Sequence, residues 1–209
     1  MNTCKHFGML PMALISVWIT GCASFAHHGL PETGKLQPPA DLSRAVKASY
    51  RFTSGSDTAE GVRMDYSPEK KSLEQEFVDQ LRESGCFSSL RAGEGEEVHI
   101  DAEMLKNGAG LYAECVSLLQ VTFGIVPCWG TVTYTLKATI VAAGGKQADY
   151  VLKDAITTVV WFPMMVAAPF AYPDKIYPNT LKNMYRNLVL KMQQDGLLPP
   201  AINQHQKSH

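Results

Sequence analysis

The sequence predicts an α+β fold: a mixed, mainly antiparallel sheet of about five strands, with two amphipathic helices packed on one face. Three observations predict it. Residues 131–141 read as a strand whose side chains alternate polar and apolar from Thr131 to Ile140, and residues 148–160 follow as a return strand across Ala143-Gly144-Gly145-Lys146. Such alternation marks a strand with one buried face, and paired glycines supply the positive φ that a hairpin turn needs. Two other segments, ending at Gly85 and Gly196, carry apolar residues at helical spacing between start and stop signals.

In chain order, residues 44–53 form the first strand, with Val46, Ala48, Tyr50 and Phe52 on one face and Lys47, Ser49 and Arg51 on the other. A loop with Gly55 and Gly61 leads to Ser67-Pro68-Glu69. A hydroxyl cap, a proline at the first helical position and an acid in the first turn together start a helix. Leu73, Phe77, Val78 and Leu81 share its apolar face, and Gly85 stops it. Residues 87–91 read as a short strand. Residues 98–106 read as a longer one, with Val98, Ile100, Ala102 and Met104 inward, His99, Asp101 and Glu103 outward, and a turn at Asn107-Gly108.

In residues 131–141, Val132, Tyr134, Leu136, Ala138 and Ile140 face the core, while Thr131, Thr133, Thr135, Lys137 and Thr139 face water. Residues 173–178 read as a loop. Asn179 or Thr180 then caps the last helix, whose apolar face holds Leu181, Met184, Tyr185, Leu188 and Met192. Gly196 ends it, Pro199-Pro200 bars continuation, and residues 199–209 form a polar tail. The chain shows no internal repeat.

The N-terminus has the three parts of an export signal: Lys5 and His6, an apolar run over residues 7–19, and small residues before Cys22. The run is too short to cross a bilayer core, which takes roughly 20 apolar residues. Ile19-Thr20-Gly21-Cys22 resembles the lipobox of bacterial lipoproteins. The resemblance implies removal of residues 1–21 and attachment of diacylglycerol and an amide-linked acyl chain such as palmitate at Cys22. It also implies a lipidated tether over residues 22–43, in which Gly29, Pro31, Gly34, Pro38 and Pro39 fit a linker and His27 and His28 are solvated. A single periplasmic domain over residues 44–198 follows. Ala23, in the position where aspartate retains enteric lipoproteins at the inner membrane, implies the periplasmic face of the outer membrane; the inner membrane is the alternative.

Of the five cysteines, Cys4 leaves with the signal and Cys22 is acylated. Cys86, Cys115 and Cys128 remain in a compartment where disulfides persist. A Cys115–Cys128 bridge closes a short loop and contributes about 3 kcal/mol in the chain-entropy model. It needs a bend, because the ends of a straight helix of that length lie about 20 Å apart, and Gly124 and Pro127 can provide one. Cys86 is the alternative partner for either residue, and three buried thiols are a further alternative.

Residues 115–129 and 159–171 are apolar with hardly a charge, short of a membrane span, and broken by Gly124, Pro127, Pro163 and Pro169. They are either core packed across one end of the sheet or an exposed surface that meets lipid or a partner. On the second reading Phe123, Trp129, Trp161, Phe162 and Phe170 form the contact surface, since tryptophan favours interfaces.

A net charge of −1 provides no field to draw nucleic acid. The sequence contains no nucleophile elbow, phosphate loop, dinucleotide fingerprint or zinc-type His-Glu-x-x-His motif. His99, Asp101 and Glu103 read as a solvated strand face, so no metal and no cofactor is expected. The element order is similar to that of small α/β envelope domains: the N-terminal domain of the Tol-system propeller protein and the periplasmic domain of the curli-secretion lipoprotein. This resemblance implies a non-catalytic binding or assembly role, with an envelope protein or polymer as partner. The alternatives are a periplasmic thiol- or histidine-dependent enzyme using a cysteine with His99, and a structural lipoprotein that binds the cell wall.

Overall fold

The computed structural model describes residues 22–36, 38–39, 44–57, 63–64, 67–108, 121–122, 125–161 and 173–200. Its strands are β1 (Cys22–Ala26), β2 (Val46–Asp57), β3 (Arg63–Met64), β4 (Phe87–Ala92), β5 (Val98–Asn107), β6 (Cys128–Ala142) and β7 (Gln147–Val160). Its helices are α1 (Ser67–Glu83) and α2 (Pro173–Gln194). The sheet runs β1-β7-β6-β5-β2-β3, and β4 pairs with the other end of β2's outer edge. β1, β7, β6 and β5 are successively antiparallel, whereas β2 is parallel to both β5 and β4. The expected α+β class and mainly antiparallel sheet are present, with seven strands rather than about five.

The alternation of apolar residues determines which face is covered. Ala48, Phe52, Ile100, Ala102, Met104, Leu136, Ile140 and Leu152 are buried on one side, and α1 and α2 lie across it. Phe77 of α1 is central: its ring centroid is 5.2 Å from Phe52 and 5.3 Å from Tyr185 of α2, the latter nearly edge-on at 73°. Aromatic pairs favour that arrangement. On the other face Lys137 is exposed, but Thr135 is buried (7% exposed), so the expectation that all four threonines of β6 face water fails at that position. The β6–β7 turn has φ of 91° at Gly144 and 78° at Gly145, as its glycines require.

Both helices end as expected, each by its own device. At α2, Gly196 has φ 68°; its N–H donates to the Gln193 carbonyl (3.1 Å) and Leu197 N–H to the Met192 carbonyl (2.9 Å). These two hydrogen bonds, closed by a glycine at positive φ, make a Schellman cap, with Leu197 buried over it. At α1, Gly85 N–H donates to the Arg82 carbonyl (3.1 Å), but the second bond is relayed. The Ser84 hydroxyl donates to the Leu81 carbonyl (2.5 Å) and accepts from Cys86 N–H (3.2 Å).

α2 starts earlier than predicted. Residues 173–178 belong to the helix, and Pro178 lies inside it. Thr180 is no cap: its hydroxyl donates to the Ile176 carbonyl one turn back (3.0 Å). As the sixth residue of the helix, Pro178 forfeits the bond that an N–H there would make to the carbonyl four residues back. Ile176 and Tyr177 pack against the core, with Tyr177 5.5 Å from the Tyr134 ring.

The largest departure concerns residues 22–39, read from sequence as a tether. Residues 22–26 are an edge strand in register with 156–160, and His27 N–H continues the ladder to the Ala155 carbonyl (2.8 Å). Ala23 and Ser24 are buried, and Leu30 and Leu36 pack on the core.

Pro38 lies so close to Gly85 that an added Cβ there would sit 2.9 Å from the proline Cβ, at a φ of 68°. Gly85→Ala is therefore expected to cost about 1–3 kcal/mol in urea unfolding with an unchanged m-value. Gly144→Ala, at φ 91° with nothing near, should lose only the backbone part, about 1 kcal/mol.

Burial raises the Tyr150 hydroxyl above its ordinary value, reinforced by its bond to the Asp195 carboxylate (2.6 Å). Burial, then the charge of Glu76, does the same at Tyr185. Unfolded tyrosines ionise near pH 10 and these folded ones do not, so stability is complete below about pH 10 and falls as pH rises past it. Tyr150→Phe should flatten that alkaline fall, measured as thermal midpoint against pH.

Candidate functional site

Strand direction gathers the functional candidates at one end of the sheet. Cys22, the start of β1, pairs with Val160, the last residue of β7, and Val160 pairs on its other side with Cys128, the first of β6. β5 ends at Asn107 on the same side, against Thr133. In chain order one apolar stretch falls between β5 and β6 and the other between β7 and α2.

Several apolar side chains at this end face water. Trp129 is 65% exposed, Val126 42%, Ile125 74% and Val121 79%. Trp161 is half-buried, and its indole N–H donates to the Ile125 carbonyl (3.1 Å), fastening one stretch to the other. Ile125 N–H in turn donates to the Thr122 carbonyl (3.1 Å). Among the described residues of the first stretch, Val121, Ile125, Val126 and Trp129 are thus exposed and Cys128 is buried. Phe123, Phe162, Phe170 and Cys115 lie outside the described residues.

Cys22 is a free thiol, half-buried in the edge strand, and burial raises its pKa. Cys128 is disulfide-bonded. Cys86 is free, which corrects the expectation of Cys86 as an alternative bridge partner. Its burial explains why: it is wholly inside the core, where the Gln193 amide donates to its sulfur (3.2 Å). Burial raises its pKa, outweighing the bonds from Ser84 and Gln193, so the thiol is protonated at neutral pH and a poor nucleophile.

His99 lies on the far side of the sheet from that core, its Nδ1 3.0 Å from the Ser49 hydroxyl. The structure therefore does not bring Cys86 and His99 together. Asp101 and Glu103, beside His99 along β5, pair instead with Arg51 and Lys137, each at 3.8 Å. Arg51 also pairs with Glu94. These ion pairs surround a shallow recess of about 440 Å³. Among the described residues no cluster of three metal-ligating side chains occurs, and no helix is long and apolar enough to cross a membrane.

The residues that fix the N-terminal segment were not foreseen. Asn183 of α2 acts as a two-point clamp: its Oδ1 accepts from Thr33 N–H (2.7 Å), and its Nδ2 donates to the Pro31 carbonyl (3.2 Å). Asn187, one turn on, donates to the same carbonyl (3.0 Å). Asp154 Oδ1 accepts from Gly29 N–H (3.2 Å) and Ala155 N–H (2.8 Å). Between this segment, β1 and α2 runs an open groove of about 870 Å³, lined by Glu32, Asp154, Asn183 and Arg186 among others. One signal was available: asparagine is a weak helix former, so one at buried helical spacing implies a bond to something outside the helix.

No protein-family model and no curated protein sequence matches the chain. Among solved structures, a Xanthomonas campestris protein of the family DUF330 is 14% identical, with a TM-score of 0.40, covering 79% of this chain and 96% of that one. A PelC dodecamer from Paraburkholderia phytofirmans is 10% identical, with a TM-score of 0.30, covering 80% and 94%. Both scores lie below 0.5, and neither likeness bears on function.

Asn183→Ala should remove one acceptor and one donor from the clamp and loosen the segment locally by about 1 kcal/mol. The expected readout is a severalfold rise in amide exchange at Thr33, with the strands β5, β6 and β7 unchanged.

Proposed function

We propose that this chain is a lipid-anchored lipoprotein of the bacterial envelope with a non-catalytic binding or assembly role. The observation that carries the reading is the position of Cys22. The residue that ends the lipobox-like sequence is also the first residue of an edge strand, so cleavage before it leaves that strand whole. Periplasmic attachment at the outer membrane, as Ala23 suggests, is part of the proposal.

The exposed apolar end of the sheet is the contact surface, with Trp129 and Ile125 at its described centre and Phe123, Phe162 and Phe170 as its expected remainder. In this reading Cys128 is bridged to Cys115: the signal removes Cys4, Cys22 is acylated rather than bridged, and Cys86 is a free thiol in the core. The enzyme alternative has lost two of its cysteines, Cys86 to the core and Cys128 to a disulfide.

Intact-mass analysis of the membrane fraction tests the anchor. The expected species begins at Cys22 and carries diacylglycerol and an amide-linked acyl chain; Cys22→Ser should abolish both and move the protein to the soluble fraction. An unmodified wild-type chain, or one cut elsewhere, rejects the reading.

A further inference from the structure

We infer that the surface formed by Trp129, Val126, Ile125 and Val121 lies in the headgroup layer of the membrane that holds the acyl chains, so that the domain sits on the bilayer rather than hanging below it. This rests on acylation of Cys22, proposed above, and adds the orientation of the domain and the occupant of its apolar end.

The geometry follows from register. Cys22 and Cys128 stand level, both opposite Val160. Strands are roughly 4.8 Å apart and advance roughly 3.3 Å per residue. The backbone of Trp129 is therefore about 10 Å sideways from Cys22 and about 3 Å further along the strand direction. With no linker between anchor and ladder, the domain cannot carry Trp129 away from the acylated end. The headgroup layer is roughly 5–8 Å thick on each side of the hydrocarbon, and the side chain falls within or beside it.

The chemistry agrees with the position. Tryptophan favours the boundary between headgroups and hydrocarbon, and Trp129 is 65% exposed in the protein alone. The neighbouring exposed side chains are aliphatic: Val126, Ile125 and Val121. The Trp161–Ile125 bond holds this loop against the end of β7, so the apolar groups are presented together. Such an array in free water would be a liability. Against acyl chains and headgroups it adds a second attachment to the covalent one.

The test uses the mature lipoprotein carrying Trp161→Phe. Trp18 leaves with the signal, so Trp129 is then the one tryptophan of the three in the sequence. The protein is placed in vesicles of phosphatidylethanolamine and phosphatidylglycerol, and its acylation is verified by mass. The expected result is a blue-shifted Trp129 emission, quenching by lipids bearing a nitroxide near the headgroup, and severalfold weaker quenching by aqueous iodide than in an unacylated protein beginning at residue 22 with Cys22→Ser. Equal iodide quenching in the two forms, with acyl chains present, overturns the docking while leaving the anchor intact. Absence of acyl chains overturns the anchor and the docking with it. If Trp161→Phe does not fold, the same comparison is made by difference between wild type and Trp129→Phe, with the same two outcomes.

Discussion

A single register decides which face of this sheet can be buried. β6 and β7 pair without a break from Cys128↔Val160 to Val141↔Gln147, and the pairing sets Leu136 beside Leu152 and Ala138 beside Tyr150. The intervening pairs, Thr135↔Lys153 and Lys137↔Val151, fall on the other side. A slip of one residue would exchange the two sets, leaving α1 and α2 to cover threonine and lysine. The glycine turn holds the slip in check at one end, and the inward row of β5, Ile100, Ala102 and Met104, holds it along the flank. The helices then dock on a surface already chosen, with Phe77 and Tyr185 meeting over its middle.

The same register carries the N-terminal segment. β1 has one neighbour, β7, and a side-chain bond between the Ser24 and Thr158 hydroxyls (2.8 Å). A short edge strand is ordinarily a weak element. Here it is held beyond its own ladder: Asp154 and the two asparagines of α2 secure the backbone just after it, and Pro38 rests on Gly85. Residues 22–39 are thus joined both to the sheet and to the helical layer.

Much of this architecture was legible in the sequence, because it depends on local periodicity. The alternation in β2, β5 and β6, the glycine hairpin, and the stop signals at Gly85 and Gly196 each act within a few residues. The unread parts depend on partners far away in the chain. Residues 22–26 contain no strand pattern of their own; they are a strand because β7 offers an open edge. The prolines and glycines after them suit a linker and suit equally a segment whose carbonyls are taken by Asn183 and Asn187. Pro178 suggested a boundary, and the packing of Ile176 and Tyr177 overrode it. At the apolar end, composition alone left core and surface open. Trp129 is exposed there and Cys128, its neighbour, is buried, while the histidine on β5 bonds Ser49.

The pairing of β1 with β7 also orders events in time. Ser24 and Thr158 meet across 134 residues of sequence, so β1 has no strand to pair with until the chain has been made as far as β7. Until β7 is made, the backbone groups of residues 22–26 have no ladder to join. Once β7 is present, the same stretch is taken into a ladder. The fold therefore closes over residues 22–26 late, through some of the pairings most distant in sequence, although those residues come first among the strands.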